Sequence, residues 1–440
     1  MKLPDKNITQ WNAHEIADAV NEKLIDPSEI ADSFINHIDK IDKDILAWET
    51  FDPEIFTRAI LNSANKGKLA GVPFAVKDIF NTIDYPTQMG SEIWKDFTPG
   101  NNARVIDHFL WEGASILGKT VTAEFAVHTP GKTINPINQE YIVGTSSSGS
   151  AAAVASKMAP LALGTQTAGS TIRPSSYCGI FGYKPSFGLI PRTGILKTLD
   201  TLDHICLMAR CVNDLRIALD VARVKGRNHP YIKNSLDSQN KLEKDRVYKI
   251  AFLKTSTWEN AENYTKEAIE EFANGLSKEK YISIEEIEFS PELSTIHQNH
   301  ALIYEKALSY YFSDEIENSR AQVSKIFLDM TDRGKKTGVE EYHQGLNKQV
   351  MHIKEFDELS KKYDFFMTNS VAGIAPRLDK PFEVDDPCLI WTYLHAPSIT
   401  LPLFNGPDDM PFGLQMASSR YNDHELLDIA EKIEQKYIGE

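Results

Sequence analysis

The chain contains little cysteine, four residues in 440: Cys178, Cys206, Cys211 and Cys388. They form no CxxC pair, and no histidines stand beside them at the spacing of a zinc motif. Disulfide-stabilised folds and structural zinc sites need paired ligands, so both classes are excluded. We therefore expect reduced, buried thiols, and no metal or organic cofactor.

Long hydrophobic runs are also lacking. No stretch approaches the roughly 18 apolar residues that a membrane-spanning helix needs. The first residues, MKLPDKNITQW, carry no apolar segment behind their lysines, as a secretion signal would. We expect a cytoplasmic protein that does not enter a membrane.

Basic residues are the minority charge, with 47 Lys and Arg against 62 Asp and Glu and a net charge of -15. An acidic surface repels the phosphates of nucleic acids and of anionic lipids. We therefore expect no nucleic-acid partner and no membrane partner.

The pattern of apolar residues indicates alternating strands and helices. Helical spacing over 14–40, interrupted at Asp26-Pro27-Ser28, predicts two helices. The short apolar run at 69–80 predicts a buried strand with Lys77 near its end. Further strands are predicted at 115–117, 160–165, 248–255 and 282–289, helices at 149–157 and 262–276, and a mostly helical stretch at 295–362. Without a repeat or a clear linker, this alternation predicts one α/β domain.

Three segments resemble well-known motifs only in their letters. GASILGKT, from Gly113 to Thr120, fits the P-loop pattern, but a helical run precedes it and its centre reads as a strand, so a nucleotide site is not expected. HEIAD at 14–18 and HELLD at 424–428 begin like a zinc-protease helix, yet each has Asp in place of the second histidine. We interpret both as helix starts.

Two glycine- and serine-containing turns are the most informative feature. GTSSSGS at 144–150 and TAGS at 167–170 are separated by one predicted helix and one strand, which would bring the turns together. A catalytic serine needs a base, and no histidine triad or GxSxG elbow is present. Lys77 is the candidate base, because burial can lower a lysine pKa from about 10.4 toward 7 or 8. From the residues alone, a flexible linker or a helix cap is the commoner meaning of such a serine run.

The block from Gly144 to Gly188, together with GVPFAVKDIF at 71–80, resembles the amidase signature family. The intervals also agree, with 69 positions from Lys77 to Ser146 and 24 from Ser146 to Ser170. Weaker similarity includes LGKTVTAEFAVHTPGKTINPIN ahead of the serine turn and the C-terminal segments APSITLPLF and PFGLQM.

The resemblance implies one α/β/α domain, residues 1–440, around a mixed, mostly parallel β-sheet. Four segments follow from it along the chain. They are N-terminal helices in 1–65, the catalytic signature core in 66–225, a variable substrate-side region in 226–362, and C-terminal strands and a helix in 363–440.

The resemblance also implies roles for individual residues. Ser170 would be the nucleophile, Ser146, after a cis peptide, the proton relay, and Lys77 the neutral base. Water would then cleave the acyl-enzyme. Two further groups are implied: oxyanion donors around Thr167, Ala168 and Gly169, and the supporting hydrogen-bond residues Ser147 and Thr165.

The sequence departs from the commonest family pattern at one pair of positions. That pattern has Asp four residues before the nucleophile and Arg two after it, where this chain has Gln166 and Ile172. Losing both members of an ion pair is less damaging than leaving one charge alone, so we expect activity to be retained. Arg173, one place further on, is expected to have a different partner.

The resemblance implies a hydrolase of linear amide C–N bonds with a small-molecule amide substrate, and a homodimer is possible. Two alternatives stay open: the glutaminase-type subunit of a tRNA-dependent amidotransferase, and an amide-forming acyltransferase on the same scaffold. Several aromatic residues either line an acyl pocket or, more commonly, pack in the core: Phe125, Tyr310, Tyr311, Phe312 and Trp391.

Overall fold

Eleven strands in the described part of the chain join into one sheet. The computed structural model describes residues 3–63, 66–225, 242–243, 246–380 and 386–439, so that 226–241 of the predicted variable region lies outside it. The strands are β1 Trp48–Phe51, β2 Pro73–Lys77, β3 Ser115–Thr120, β4 Leu161–Gln166, β5 Phe181–Lys184, β6 His204–Ala209, β7 Tyr248–Lys254, β8 Ile282–Glu288, β9 Phe365–Asn369, β10 Ser398–Asn405 and β11 Pro411–Ser418. Their order across the sheet is β1-β3-β2-β4-β6-β5-β10-β11-β9-β7-β8.

Helices surround this sheet. Those in the described residues are α1 Ala13–Asn21, α2 Pro27–Ile45, α3 Pro53–Asn62, α4 Arg104–Trp111, α5 Ser148–Ala155, α6 Ile172–Tyr177, α7 Val212–Ala222, α8 Asn263–Leu276, α9 Ile296–Tyr311, α10 Ser313–Asn318, α11 Lys325–Lys336, α12 Val339–Leu359, α13 Leu389–Tyr393 and α14 Asp423–Ile433. The predicted break between the first two helices is confirmed. Asp26 accepts a hydrogen bond from the Ser28 backbone and Pro27 opens α2, because proline at the first helical position needs no N–H partner.

The single α/β domain with a mixed sheet is confirmed, but the expectation of a mostly parallel sheet is corrected. Among the described strands, β2 with β3 and β4, and β7 with β8 and β9, pair in parallel, while six other pairings are antiparallel. Five of the six antiparallel pairs occupy the middle of the sheet, where β10 and β11 follow each other closely along the chain, and the sixth joins β1 to β3 at one edge. A short connection favours antiparallel neighbours, whereas parallel ones need a crossover. The division of the chain into four segments stays a prediction.

The elements that carry the serine turns pack tightly against the sheet. β2 and β4 are parallel neighbours, so their carboxyl ends, at Lys77 and Gln166, lie at the same edge. The small-residue helix α5 lies close to the backbone below it. A Cβ added at Gly149 would stand 2.4 Å from the carbonyl oxygen of Ala47 and 2.5 Å from the backbone nitrogen of Val121. Only glycine at position 149 allows this approach.

The three segments that resemble known motifs only in their letters form a strand and two helix starts, as expected. Gly118, Lys119 and Thr120 lie inside β3 rather than in a phosphate-binding loop. Lys119 is fully buried and forms an ion pair of 3.0 Å with Asp78. HEIAD opens α1 and HELLD opens α14.

Two further expectations concern the cysteines and the absence of membrane-spanning helices. The four cysteines are free thiols; three are buried and Cys211 is half-buried. Within the ranges that the structure describes, no helix has the length and apolar content needed to cross a membrane.

Candidate active site

The first serine turn enters α5 and contacts the second turn. The peptide bond between Thr145 and Ser146 is cis. Ser146 is fully buried, and its carbonyl accepts a hydrogen bond of 3.1 Å from the Ala123 backbone. The Ser147 backbone N–H donates to the carbonyl of Ser170 over 3.2 Å. The two turns therefore lie against each other, as the strand–helix connection indicated.

Lys77 lies at the end of β2 and its side chain is fully buried. Its Nζ is 2.7 Å from Ser146 Oγ and 2.8 Å from Thr165 Oγ1. No described carboxylate lies within ion-pair distance of Nζ. Burial lowers the pKa of Lys77 to about 7, against a smaller raising influence of Cys206 and Asp203. A neutral amine is therefore available to accept a proton near neutral pH.

Ser147 and Thr165, which were predicted to support Lys77 and Ser146, form hydrogen bonds with each other. Ser147 Oγ donates to the carbonyl of Thr165 over 3.2 Å and accepts from the Thr165 backbone N–H over 3.3 Å. The Thr165 hydroxyl faces the other way, toward Lys77. Thr165, near the end of β4, thus connects Lys77 on β2 with the first serine turn.

The second turn, 167–170, is fixed by its carbonyl groups. The carbonyl of Thr167 accepts a 2.9 Å hydrogen bond from His300 Nε2, and that of Ala168 accepts one of 2.7 Å from Thr392 Oγ1. No described residue accepts a hydrogen bond from the backbone N–H of Ala168, Gly169 or Ser170. Ser170 is only 7% exposed. Free N–H groups on a rigid turn are suited to hold a developing oxyanion.

Gln166 occupies the place of the family's usual aspartate and caps α6. Its Oε1 accepts hydrogen bonds from the backbone N–H groups of Thr171 and Ile172, over 2.9 and 3.0 Å. Its Nε2 donates to Thr392 Oγ1 over 3.0 Å. A neutral amide therefore satisfies the buried start of the helix without a charged partner.

The expected different partner of Arg173 is Asp386, with Nη1 and Oδ2 3.1 Å apart. Thr392 and His300 bond to the second serine turn and Asp386 pairs with Arg173, yet nothing in the sequence marked these three residues. They lie more than 120 residues from the turns along the chain and belong to no recognisable motif. Only their positions in the folded chain reveal them.

Replacing Gln166 with leucine is expected to destabilise the fold. Two buried N–H groups would lose their acceptor, at a cost of about 1 to 3 kcal/mol each. Urea unfolding measures this effect. The control is Gln344→Leu on α12, an exposed side chain that bonds only to Glu340. Equal midpoints for the wild type and Gln166→Leu would show that the cap is dispensable.

A cavity of about 670 Å³ opens beside the second serine turn. Its surface is mostly apolar, with several charged and histidine side chains among the lining residues, and it comes largely from α9, α11 and the segment before α13. The lining residues are His128, Ala168, Arg173, His297, His300, Ala301, Tyr304, Glu305, Ile326, Asp329, Met330, Arg333, Asp386 and Leu389. This volume suits a small organic molecule.

The aromatic residues considered for an acyl pocket lie elsewhere. Phe125 and Phe312 are buried in the core with ring centroids 4.7 Å apart, and Trp391 is also fully buried. Tyr310 is 73% exposed. Tyr311 is half-buried and packs against the core, so core packing, the commoner role, describes four of the five. The aromatic ring that lines the cavity is Tyr304, which the sequence did not single out.

Fold and site together define an α/β enzyme with a buried lysine and two serine turns at one edge of its sheet. The family model described as Amidase matches residues 29–427, so the chain belongs to the amidase family. Among curated proteins, it is similar to the A subunit of the glutamyl-tRNA(Gln) amidotransferase from Sulfolobus acidocaldarius, with 28% identity over 96% of this chain and 97% of the relative.

Solved structures show the same fold. A 6-aminohexanoate cyclic dimer hydrolase complexed with substrate matches with a TM-score of 0.87 and 20% identity, covering 98% of both chains. The A subunit of the Thermotoga maritima glutamyl-tRNA(Gln) amidotransferase matches with a TM-score of 0.81 and 22% identity, covering 99% of this chain and 96% of that one. The family and the fold implied by the sequence are thereby confirmed.

Proposed function

We propose that the chain cleaves a carboxamide bond through an acyl-enzyme formed on Ser170. The observation that carries this proposal is the fully buried Lys77, whose Nζ is 2.7 Å from Ser146 Oγ. A buried lysine held on a serine hydroxyl without a carboxylate partner is a base rather than a structural cation. The adjoining turn supplies the second serine and the free N–H groups.

In the proposed reaction, Lys77 Nζ takes the proton of Ser146 Oγ while Ser146 Oγ takes that of Ser170 Oγ. Ser170 Oγ attacks the amide carbon, and the backbone N–H groups of Ala168 and Gly169 hold the resulting oxyanion. The proton then returns through Ser146 to the leaving nitrogen as the C–N bond breaks. Water attacks the ester by the same relay, which releases the acid and restores Ser170.

The test combines a serine-directed probe with a substrate screen. A fluorophosphonate should form one adduct on the wild-type protein, and peptide mapping should place it on Ser170. Ammonia or amine release from a panel of carboxamides would then identify the acyl groups that turn over. An adduct on a serine outside 167–170 would contradict the assignment.

A second candidate is the glutaminase-type subunit of a tRNA-dependent amidotransferase. Its support is the similarity to amidotransferase A subunits over nearly the whole chain. Under this alternative the expected absence of a nucleic-acid partner would be wrong, because the named relatives act on glutamyl-tRNA(Gln). Copurification with partner subunits and glutamine-specific ammonia release would favour it.

The amide-forming alternative shares the acyl-enzyme and differs only in the acceptor. Adding hydroxylamine during turnover separates the two outcomes. Hydroxamate formation that outcompetes hydrolysis at low hydroxylamine concentrations would favour acyl transfer, whereas unchanged acid release would favour hydrolysis.

The predicted homodimer is checked by the mass of the purified protein in solution.

A further inference from the structure

Arg173 links the first serine turn, which contains the cis peptide bond, to the segment before α13. Its Nη2 donates to the carbonyl oxygen of Thr145 over 3.0 Å and to Thr145 Oγ1 over 3.2 Å. Its Nη1 is 3.1 Å from Asp386 Oδ2. The Thr145 carbonyl belongs to the peptide bond that leads into Ser146, so the guanidinium holds the backbone directly before the proposed relay.

Asp386 is itself held in a fixed position. Its Oδ1 accepts a hydrogen bond of 2.9 Å from the Cys388 backbone, and its carbonyl accepts one of 2.9 Å from His297 Nε2. The carboxylate also packs directly against Gly169. A Cβ added at that glycine would stand 1.9 Å from Asp386 Oδ2. The Asp386 carboxylate therefore contacts the second serine turn and, through Arg173, the first serine turn.

Six residues further on, Thr392 adds a second connection to the same turns. Its hydroxyl donates to the carbonyl of Ala168 over 2.7 Å and accepts from Gln166 Nε2 over 3.0 Å. Asp386 lies three residues before the short helix α13 and Thr392 lies within it, and the two residues contact the second turn at Gly169 and Ala168. The segment 386–392 acts as a common support for both turns.

We propose that Asp386 and Arg173 are positioning residues, which set the place of Ser146 Oγ between Lys77 and Ser170. This inference rests on the proposed acyl-enzyme function. Arginine suits the role because its planar fork can reach a carboxylate and a backbone carbonyl at once, whereas the single ammonium of lysine cannot keep both directions.

Two other roles for Arg173 make different predictions. If it only stabilised the fold, its loss would lower the melting temperature without a specific effect on the serine. If it only bound the substrate, since it also lines the cavity, its loss would raise KM for an amide but leave a small probe unaffected. A fluorophosphonate with a short alkyl chain lacks the substrate's acyl group, so its rate reports on the serine itself.

The experiment measures the rate of fluorophosphonate acylation for the wild type, Arg173→Lys, Arg173→Ala and Asp386→Asn, with melting temperatures recorded in parallel. Misplacing the relay by about 1 Å should slow acylation by roughly 10²-fold in each variant. Ethylguanidinium added to Arg173→Ala should restore part of the rate. The matched control is Arg216→Lys, an arginine that pairs with Asp428 and Glu431 between α7 and α14 and should acylate like the wild type.

The double variant Arg173→Ala/Asp386→Asn gives a further check. If the two residues act as one unit, it should acylate no more slowly than Arg173→Ala alone. Additive losses would overturn the inference, because they would mean two independent contributions.

Several results separate this inference from the function on which it rests. If the wild type is labelled at Ser170 and the variants match its rate, the positioning role is wrong and the proposed function stands. A slower rate that follows the melting temperature and is not rescued by ethylguanidinium also overturns it, in favour of a structural ion pair. If the wild type forms no adduct, both proposals fail together.

Discussion

Replacing Ser170 with alanine is expected to abolish the fluorophosphonate adduct and to lower amide turnover by about 10⁶-fold. The variant has no oxygen to form the acyl-enzyme, and the remaining relay of Lys77 and Ser146 has no nucleophile to deprotonate. Ser170 is nearly buried on a turn held by His300 and Thr392, so the loss of one oxygen should leave the fold unchanged.

Intact mass spectrometry and ammonia release measure this loss, and Ser148→Ala is the control. Ser148 lies one residue beyond Ser147, and no residue that the structure describes forms a hydrogen bond with its buried Oγ. Removing that oxygen should therefore change neither the adduct nor the turnover. Undiminished labelling of Ser170→Ala would show that the nucleophile lies elsewhere.

Replacing Lys77 with methionine is expected to slow acylation by about 10²- to 10⁴-fold, the usual contribution of a general base. The pH profile should change as well. Because the pKa of Lys77 is lowered to about 7, the wild-type rate should rise as the pH passes through that value and the amine becomes neutral. The variant should lack this rise. A profile that keeps its midpoint in Lys77→Met would assign the titration to another group.

The same lysine should make stability depend on pH. Its folded pKa of about 7 lies below the ordinary value of 10.5, so between these values the unfolded chain binds more protons than the folded one. Wild-type stability relative to Lys77→Met should therefore rise from pH 7 to 10.5 and stay constant below 7. The rise is at most about 4 to 5 kcal/mol, at about 1.4 kcal/mol for each pKa unit.

Urea unfolding of both proteins at pH 6, 8 and 10 measures this difference. Other groups, such as the buried Lys184, titrate in both proteins and cancel in the comparison. A constant difference across the three pH values would mean that Lys77 keeps its charge in the folded protein.

Local sequence patterns predicted those parts of the fold that short segments decide. The break at Pro27, the buried strand that ends at Lys77 and the small-residue helix α5 all follow from spacing, capping and residue size. The pairing of strands did not follow in the same way. The family resemblance implied a mostly parallel sheet, whereas the middle of the sheet is antiparallel, because the choice of partner depends on packing between distant segments.

The same distinction between local sequence and tertiary packing applies to the candidate site. The sequence by itself determined its chemical groups: a lysine on an apolar strand and two serine turns on either side of one helix and one strand, with family spacing between them. The tertiary structure decided what surrounds those groups. Burial lowers the pKa of Lys77, and one partner each of Arg173 and Gln166 comes from 386–392, more than 200 residues away. Local propensity carries no information about such contacts, since they form only when distant segments pack together.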